Sequence, residues 1–205
     1  MTRALIIFLK HPQLGLCKTR LAKTIGDINA LKIYQKLLQH THQITQNLPV
    51  QKYLYFDKPS DNPLNWAGNY KIEYQNQGNL GSKMEQAFAE VFNRQHYPVI
   101  IIGTDCMELS TQIINDAYRQ LNYYDVVIGP AKDGGYYLLG LNNPTPQIFK
   151  NIEWSSHTVL SDTIKTVQNL GLSYCFMPLL SDVDVEEDLN DELRKLIGVK
   201  PARTP

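Results

Sequence analysis

Cysteine is scarce: three residues, at positions 17, 106 and 175, with no CxxC pair among them. An odd, scattered set excludes a disulfide framework or a thiolate zinc site. It fits a reducing compartment, so a cytoplasmic location is expected. An excess of one charge is also missing, since 20 Lys and Arg face 20 Asp and Glu with no basic stripe and no acidic tail. Without such a patch nucleic acid is a poor partner. No apolar run reaches the length of a membrane span, and the few apolar residues before Lys10-His11-Pro12 are too short for a signal-peptide core. Repeats, low-complexity tracts and Gly/Ser linkers are lacking too. The expectation is one domain over residues 1–199 with a frayed tail at 200–205.

What the chain does contain is strand-length apolar runs alternating with helical periodicity. The runs Ala4–Leu9, Gln51–Phe56, Tyr70–Tyr74, Val99–Ile102, Asp125–Gly129, Tyr136–Leu141 and Leu172–Met177 read as strands. Helical spacing covers Leu21–Gln46 with a break at Gly26-Asp27, then Gly81–Asn93, Thr111–Leu121, His157–Leu170 and Glu186–Ile197. A short helix is expected within Pro144–Ile152 and one helical turn near Leu64-Asn65-Trp66. Few residues separate Asp125–Gly129 from Tyr136–Leu141, so the second strand either pairs antiparallel with its neighbour or runs as an edge. The alternation predicts an α/β fold with a largely parallel sheet covered on both faces.

The chemistry-bearing residues fall just after strands, where open α/β sheets bind ligands. The run Val99–Ile102 empties into Gly103-Thr104-Asp105, and Asp105 reads either as a turn or cap residue or as a ligand for a metal or phosphate. The loop after the first strand carries Lys10, Gly15, Lys18 and Arg20. Glycine lets backbone approach a phosphate, Arg forks onto two oxygens, and Lys acts as a point charge. This loop has neither the GxxxxGK[ST] spacing of a P-loop nor the GxGxxG dinucleotide pattern. Gly81, in a second Gly-bearing loop, is explained by a plain turn. Asp133-Gly134-Gly135 is a tight turn on the same rim as Asp105 if its strand is parallel. Asp182-Val183-Asp184 reads as acidic first-turn residues or as a second metal ligand opposite Asp105, since Mg²⁺ and Mn²⁺ take one or two carboxylates plus substrate phosphates.

Taken together, five blocks in order resemble a family: KxPxxGxxKTRL (Lys10–Leu21), QGNLGSKM (Gln77–Met84), GTDC (Gly103–Cys106), GPAxDGGYYLLGL (Gly129–Leu141) and DVDxxEDL (Asp182–Leu189). They are similar to bacterial glycosyltransferase-like proteins of the GT-A, nucleotide-diphospho-sugar transferase fold, a type linked to arsenosugar biosynthesis. The Lys18-Thr19-Arg20-Leu21 segment also resembles the 2-phospholactate guanylyltransferases, which share that fold. The resemblance implies a three-layer α/β sandwich. It also implies a metal-dependent glycosyltransferase using Mg²⁺ or Mn²⁺, a nucleotide-sugar donor and a small-molecule acceptor. Lys10, Gly15, Lys18, Arg20 and Gly81 would lie by the nucleotide diphosphate. Asp133 with Gly134 and Gly135 would sit by donor sugar or acceptor, Asp133 as a general base. Asp105 would hold the metal, with Asp184 (or Asp182) as second ligand. The chain departs from the family pattern at Met107 (usually Pro), Val185 (usually Thr) and Lys83 (usually Arg). Two further readings stand beside this one. The first is a nucleotidyltransferase joining a nucleoside triphosphate to a phosphorylated small molecule, favoured by the cationic loop. The second is a nucleotide-binding homologue without turnover.

Overall fold

The apolar run at the N-terminus forms an inner strand beside the middle one of the sheet, and the other elements are placed relative to it. In a computed structural model, residues 2–59, 64, 66 and 69–199 are described. Strand β1 (Thr2–Leu9) leads through α1 (Thr19–Ile25) and α2 (Asp27–Thr45) into β2 (Gln51–Phe56) and β3 (Tyr70–Tyr74). Then come α3 (Leu80–Asn93), β4 (His96–Ile102), α4 (Thr111–Gln120), β5 (Val126–Pro130), β6 (Tyr136–Leu141), α5 (Val159–Asn169), β7 (Tyr174–Phe176) and α6 (Asp191–Leu196). The strand order is β3-β2-β1-β4-β6-β5-β7. β6 runs antiparallel to both β4 and β5, and the remaining pairs are parallel.

Period-two alternation along the strands makes the two faces. Leu5, Ile7 and Leu9 join Leu54, Phe56, Ile100 and Ile102 under α2 and α4. Ala4 and Ile6 join Tyr53, Tyr55, Val99 and Ile101 under α3 and α5. On α3 the residues Met84, Phe88, Val91 and Phe92 supply the covering stripe, each stabilising by about 1.5–3 kcal/mol on burial. The result is the expected three-layer α/β sandwich. Among the described residues, no helix is long and apolar enough to cross a membrane.

Because β4, β5 and β7 run the same way as β1, the loops that follow all four open on one rim. The chain leaves β1 toward β2 on one side and later places β4 on the other. That reversal creates the crevice at which open α/β sheets bind ligands.

The structure decides one alternative left open by the sequence and departs from the expectations in three places. Of its two expected arrangements β6 takes the antiparallel one, pairing with β5 and, on its other side, with β4. Residues 137–141 are buried throughout, as a strand covered on both faces requires. The stretch Pro144–Ile152 yields a single 3₁₀ turn, Pro146–Phe149. The terminal helix splits: a 3₁₀ turn at Glu186–Asp188 ends at extended Leu189, and α6 starts afresh where the Asn190 side chain accepts from the Leu193 N–H at 2.9 Å. The last strand shortens to Tyr174–Phe176. Of the turn expected near Leu64-Asn65-Trp66, Leu64 and Trp66 take no regular secondary structure, while Asn65 and the tail 200–205 lie outside the described residues.

One polar clamp aligns the starts of β5 and β7. The Asp125 carboxylate accepts from the Ser173 N–H at 2.9 Å and from its hydroxyl at 2.6 Å. These bonds hold the carboxyl below its ordinary value of 3.8. Asp125→Ala is therefore expected to cost about 1–2 kcal/mol in urea unfolding at neutral pH. With a lowered folded-state pKa, the contribution is complete above 3.8 and is lost as the pH falls through the folded value. The gap between variant and wild type should close in that acidic range, and a pH-independent gap would show that the clamp is not ionic.

Candidate functional site

The β1–α1 connection begins at Lys10, and α2 reaches across to hold it. The Tyr34 hydroxyl accepts from the Lys10 N–H at 2.8 Å and donates to the Lys10 carbonyl at 2.9 Å. The loop then passes Gly15, at φ +74°, and ends at Lys18, which takes the left-handed conformation (φ 51°, ψ 45°) just before α1. That backbone turn sends the Lys18 side chain inward, where it is 5% exposed. Its Nζ lies 2.8 Å from Asp105 Oδ1 and donates to the Val183 carbonyl at 2.6 Å. A third tie between the same segments is the Val183 N–H donating to the Asp105 carbonyl at 2.9 Å. Glu108 adds a fourth by accepting from the Ser181 N–H at 2.7 Å. Loops from the ends of β1, β4 and β7 are thus tied together at one point.

Four carboxylates gather around this point. Asp105 is neutralised by Lys18, and Asp184 by Arg20, whose Nη1 is 2.6 Å from Asp184 Oδ2. Asp133 spends one oxygen on the Gly135 N–H at 2.9 Å, which closes the turn after β5. The half-buried Asp182 has no cation partner among the described residues. Burial first, then repulsion from Asp105 and Asp133, push its carboxyl up to about 7, against the opposing pull of Lys18. The Cys106 thiol is pushed up to about 12 by burial and by the charge of Asp182, which leaves it protonated and unsuited to nucleophilic work.

These residues line a crevice with two lobes that share Phe8, Arg20, Gly103, Tyr137, Asp182 and Asp184. The first lobe, about 460 Å³, is walled by Lys10, Lys18, Tyr34, Thr104 and Asp105. The second, about 530 Å³, is walled by Met84, Asp133, Gly135, Trp154 and His157.

Of the residues singled out in the sequence, Lys10, Lys18, Arg20, Asp105, Asp133, Gly135 and Asp184 meet in this crevice. Gly15, Gly81 and Gly134 do not line it. Gly81 lies beneath the indole of Trp154, so close that a Cβ there would sit 2.1 Å from Trp154 Nε1. Gly134 lies beneath the backbone of His157, and a Cβ would sit 2.2 Å from the His157 carbonyl oxygen. Both glycines make room for the 150–158 segment. That segment and Tyr34 are what sequence reasoning missed; Asp182, the alternative to Asp184 in the sequence, also lines the crevice. Residues 150–158 carry no periodicity, whereas Asp182 already stood in the DVD block.

A divalent cation fits this set. Among the described residues no group of three or more His, Cys, Asp or Glu is arranged to hold a metal by itself. Asp105, through the oxygen not facing Lys18, and the unpartnered Asp182 are the two carboxylates that would serve Mg²⁺ or Mn²⁺ with phosphate oxygens and water completing the shell.

A family model described as "Uncharacterized protein conserved in bacteria (DUF2064)" matches residues 39–156. No curated protein matches the chain. Among solved structures, a protein given as a candidate nucleotide-diphospho-sugar transferase from Desulfovibrio desulfuricans G20 is similar at 27% identity and TM-score 0.84, over 95% of this chain and 91% of that one. The inositol-1-phosphate CTP transferase from T. maritima is similar at 8% identity and TM-score 0.60, covering 96% and 95% of the two chains. The 4-diphosphocytidyl-2C-methyl-D-erythritol synthase from Anaerococcus prevotii DSM 20548 follows at 11% and 0.56, covering 91% and 94%. The likeness to the last two is one of fold.

Removing the Lys18 charge strands Asp105 and Asp182 together and leaves the Val183 carbonyl without its donor. Lys18→Met is expected to lower stability by about 1–3 kcal/mol. The double variant Lys18→Met/Asp105→Asn should recover part of that loss. A double-mutant cycle by urea unfolding should give a coupling above about 0.5 kcal/mol, and additivity would refute the clamp.

Proposed function

The chain belongs to the DUF2064 family, and from that premise we propose that it is a transferase acting on a nucleotide-diphospho-sugar donor, with Mg²⁺ or Mn²⁺ as its metal. The observation that carries this reading is the pairing of a cationic lobe with an acidic one across shared Asp182 and Asp184. Lys10, Lys18 and Arg20 suit a diphosphate in the first lobe. The second lobe then receives the sugar and the acceptor.

Asp105 and Asp182 would hold the metal, which when bound offsets the charge that builds on the departing diphosphate. Arg20 shares that role from the protein side. Its guanidinium is more than half exposed and lies where the two lobes meet, so it can leave Asp184 for a phosphate. In the transfer itself, the acceptor hydroxyl oxygen forms a bond to the anomeric carbon while the bond from that carbon to the diphosphate oxygen breaks. The hydroxyl proton passes to Asp133, whose carboxylate is held in place by the Gly135 N–H. Phe8, Tyr136 and Tyr137 wall the junction and limit water there.

A second reading, nucleotidyl transfer, draws on the three cations of the first lobe, because departing pyrophosphate needs strong positive charge. In that case a phosphorylated substrate attacks the α-phosphate of a nucleoside triphosphate.

The two readings separate in a thermal-shift screen of sugar nucleotides and nucleoside triphosphates, each with and without Mn²⁺. A sugar nucleotide should raise the melting temperature with Mn²⁺ present, by mass action, and much less without it. Asp105→Asn and Asp182→Asn should each abolish the Mn²⁺-dependent part. An unchanged shift in Asp105→Asn would refute the metal assignment. Pyrophosphate release from a triphosphate, with no response to sugar nucleotides, would decide for the second reading.

A further inference from the structure

The two lobes differ in charge, and the difference bears on what the second one accepts. On the first lobe, Lys10 and Lys18 stand beside Arg20. Among the described residues, the second lobe has Arg20 as its one permanent cation, and that guanidinium is bound by Asp184 at 2.6 Å. Against it stand the carboxyl groups of Asp133, Asp182 and Asp184. His157 is the one histidine on this wall, the Tyr136 and Tyr137 phenols stay neutral because burial raises them, and no lysine lines it. A metal held by Asp105 and Asp182 would be offset by the donor diphosphate it accompanies. A phosphate monoester placed here would still meet Asp133 and Asp184 against the single Arg20, partly out of water.

Apart from Ser155 and Ser156, the rest of the wall is largely apolar, and its aromatic part is built into place. Trp154 lies over Gly81 and against Phe149, with ring centroids 6.5 Å apart. The segment that delivers it turns through two left-handed non-glycine residues, Asn151 at φ 57° and Ser155 at φ 69°. It is pinned by the Leu160 N–H donating to the Gly134 carbonyl at 2.9 Å. Two vacated side-chain positions, two left-handed turns and a backbone hydrogen bond thus hold one indole in the wall of the lobe that the carboxylates also line. Such a surface suits the apolar face of a sugar or other ring, while carboxylates accept from hydroxyl or amino groups.

From this, and resting on the donor reading above, we infer that the second lobe selects a non-anionic, ring-bearing polyol as acceptor and disfavours its phosphate ester. The ring lies against Trp154, and its hydroxyl or amino groups donate to Asp133 and Asp184. The fold neighbour from T. maritima is named for a phosphorylated polyol. The acceptor selectivity inferred for this chain is the opposite.

The experiment uses matched pairs at about pH 8, above the titration range of ordinary histidines. Glucose, glucosamine and myo-inositol are compared with glucose 6-phosphate and inositol 1-phosphate. The chain has two tryptophans, so Trp66→Phe leaves Trp154 as the indole that reports binding by fluorescence. Calorimetry on the wild type gives the same ranking without that substitution. The expected result is that at least one neutral or amino compound perturbs Trp154 and binds about tenfold or more tightly than its phosphate ester. Asp133→Asn should narrow that gap by admitting the ester. Equal or tighter binding of the esters overturns the inference, and so does silence from every neutral and amino compound. The donor screen is read separately: Mn²⁺-dependent sugar-nucleotide binding with ester preference refutes the acceptor inference alone. Loss of all sugar-nucleotide response refutes the donor reading itself.

Discussion

The ammonium of Lys18, almost closed off from water, reaches the Asp105 carboxylate at 2.8 Å and the Val183 carbonyl at 2.6 Å. It thereby joins loops that follow three strands distant in sequence. A charge this deep is tolerated only when paired and hydrogen-bonded, and here both conditions are met from different segments. The arrangement therefore depends on the loop after β1, the GTDC turn and the DVD turn all being in place. Left-handed backbone at Lys18 is the local cost of aiming the side chain inward.

The sheet explains why these loops meet at all. Six strands share one direction, and the antiparallel β6 lies among them without disturbing the rim. A five-residue link after β5 is too short for a crossover, so the chain turns back at once and leaves Asp133 at the same end as Asp105 and Asp182. Four acidic groups then share two cations, and the imbalance settles on Asp182. The same geometry divides the crevice into a lobe rich in lysine and a lobe rich in carboxylate and aromatic surface.

The architecture was largely readable from the chain because the strands are continuous apolar runs and the helices are strongly periodic. The Gly26-Asp27 interruption, the extents of β2, β3 and β6, and the common rim all follow from those patterns. The charged half of the site was equally readable, since Lys18, Arg20, Asp105 and Asp133 each follow a strand. Glycine misled. Gly81 and Gly134 have the flanking residues of ligand loops, yet each is small to admit residues of a segment far along the chain. Sequence spacing reports that a side chain is missing and is silent on what fills the space. The central place of β6 was hidden for a related reason, since pairing partners are set by tertiary packing rather than local pattern.

The 150–158 segment meets the framework at two positions that lack a Cβ, through the Lys150–Glu85 ion pair and through Ile152 and Trp154, and its own turns are local. The crevice is therefore modular. Its diphosphate-sized end is woven from three loops that must keep their register together, whereas its aromatic end is a single appended strap. Drift in the strap would retune which molecules are accepted while the woven end stayed as it is. Within a lineage of such chains, diversity should concentrate in those nine residues and constancy in Lys18 and the groups it holds.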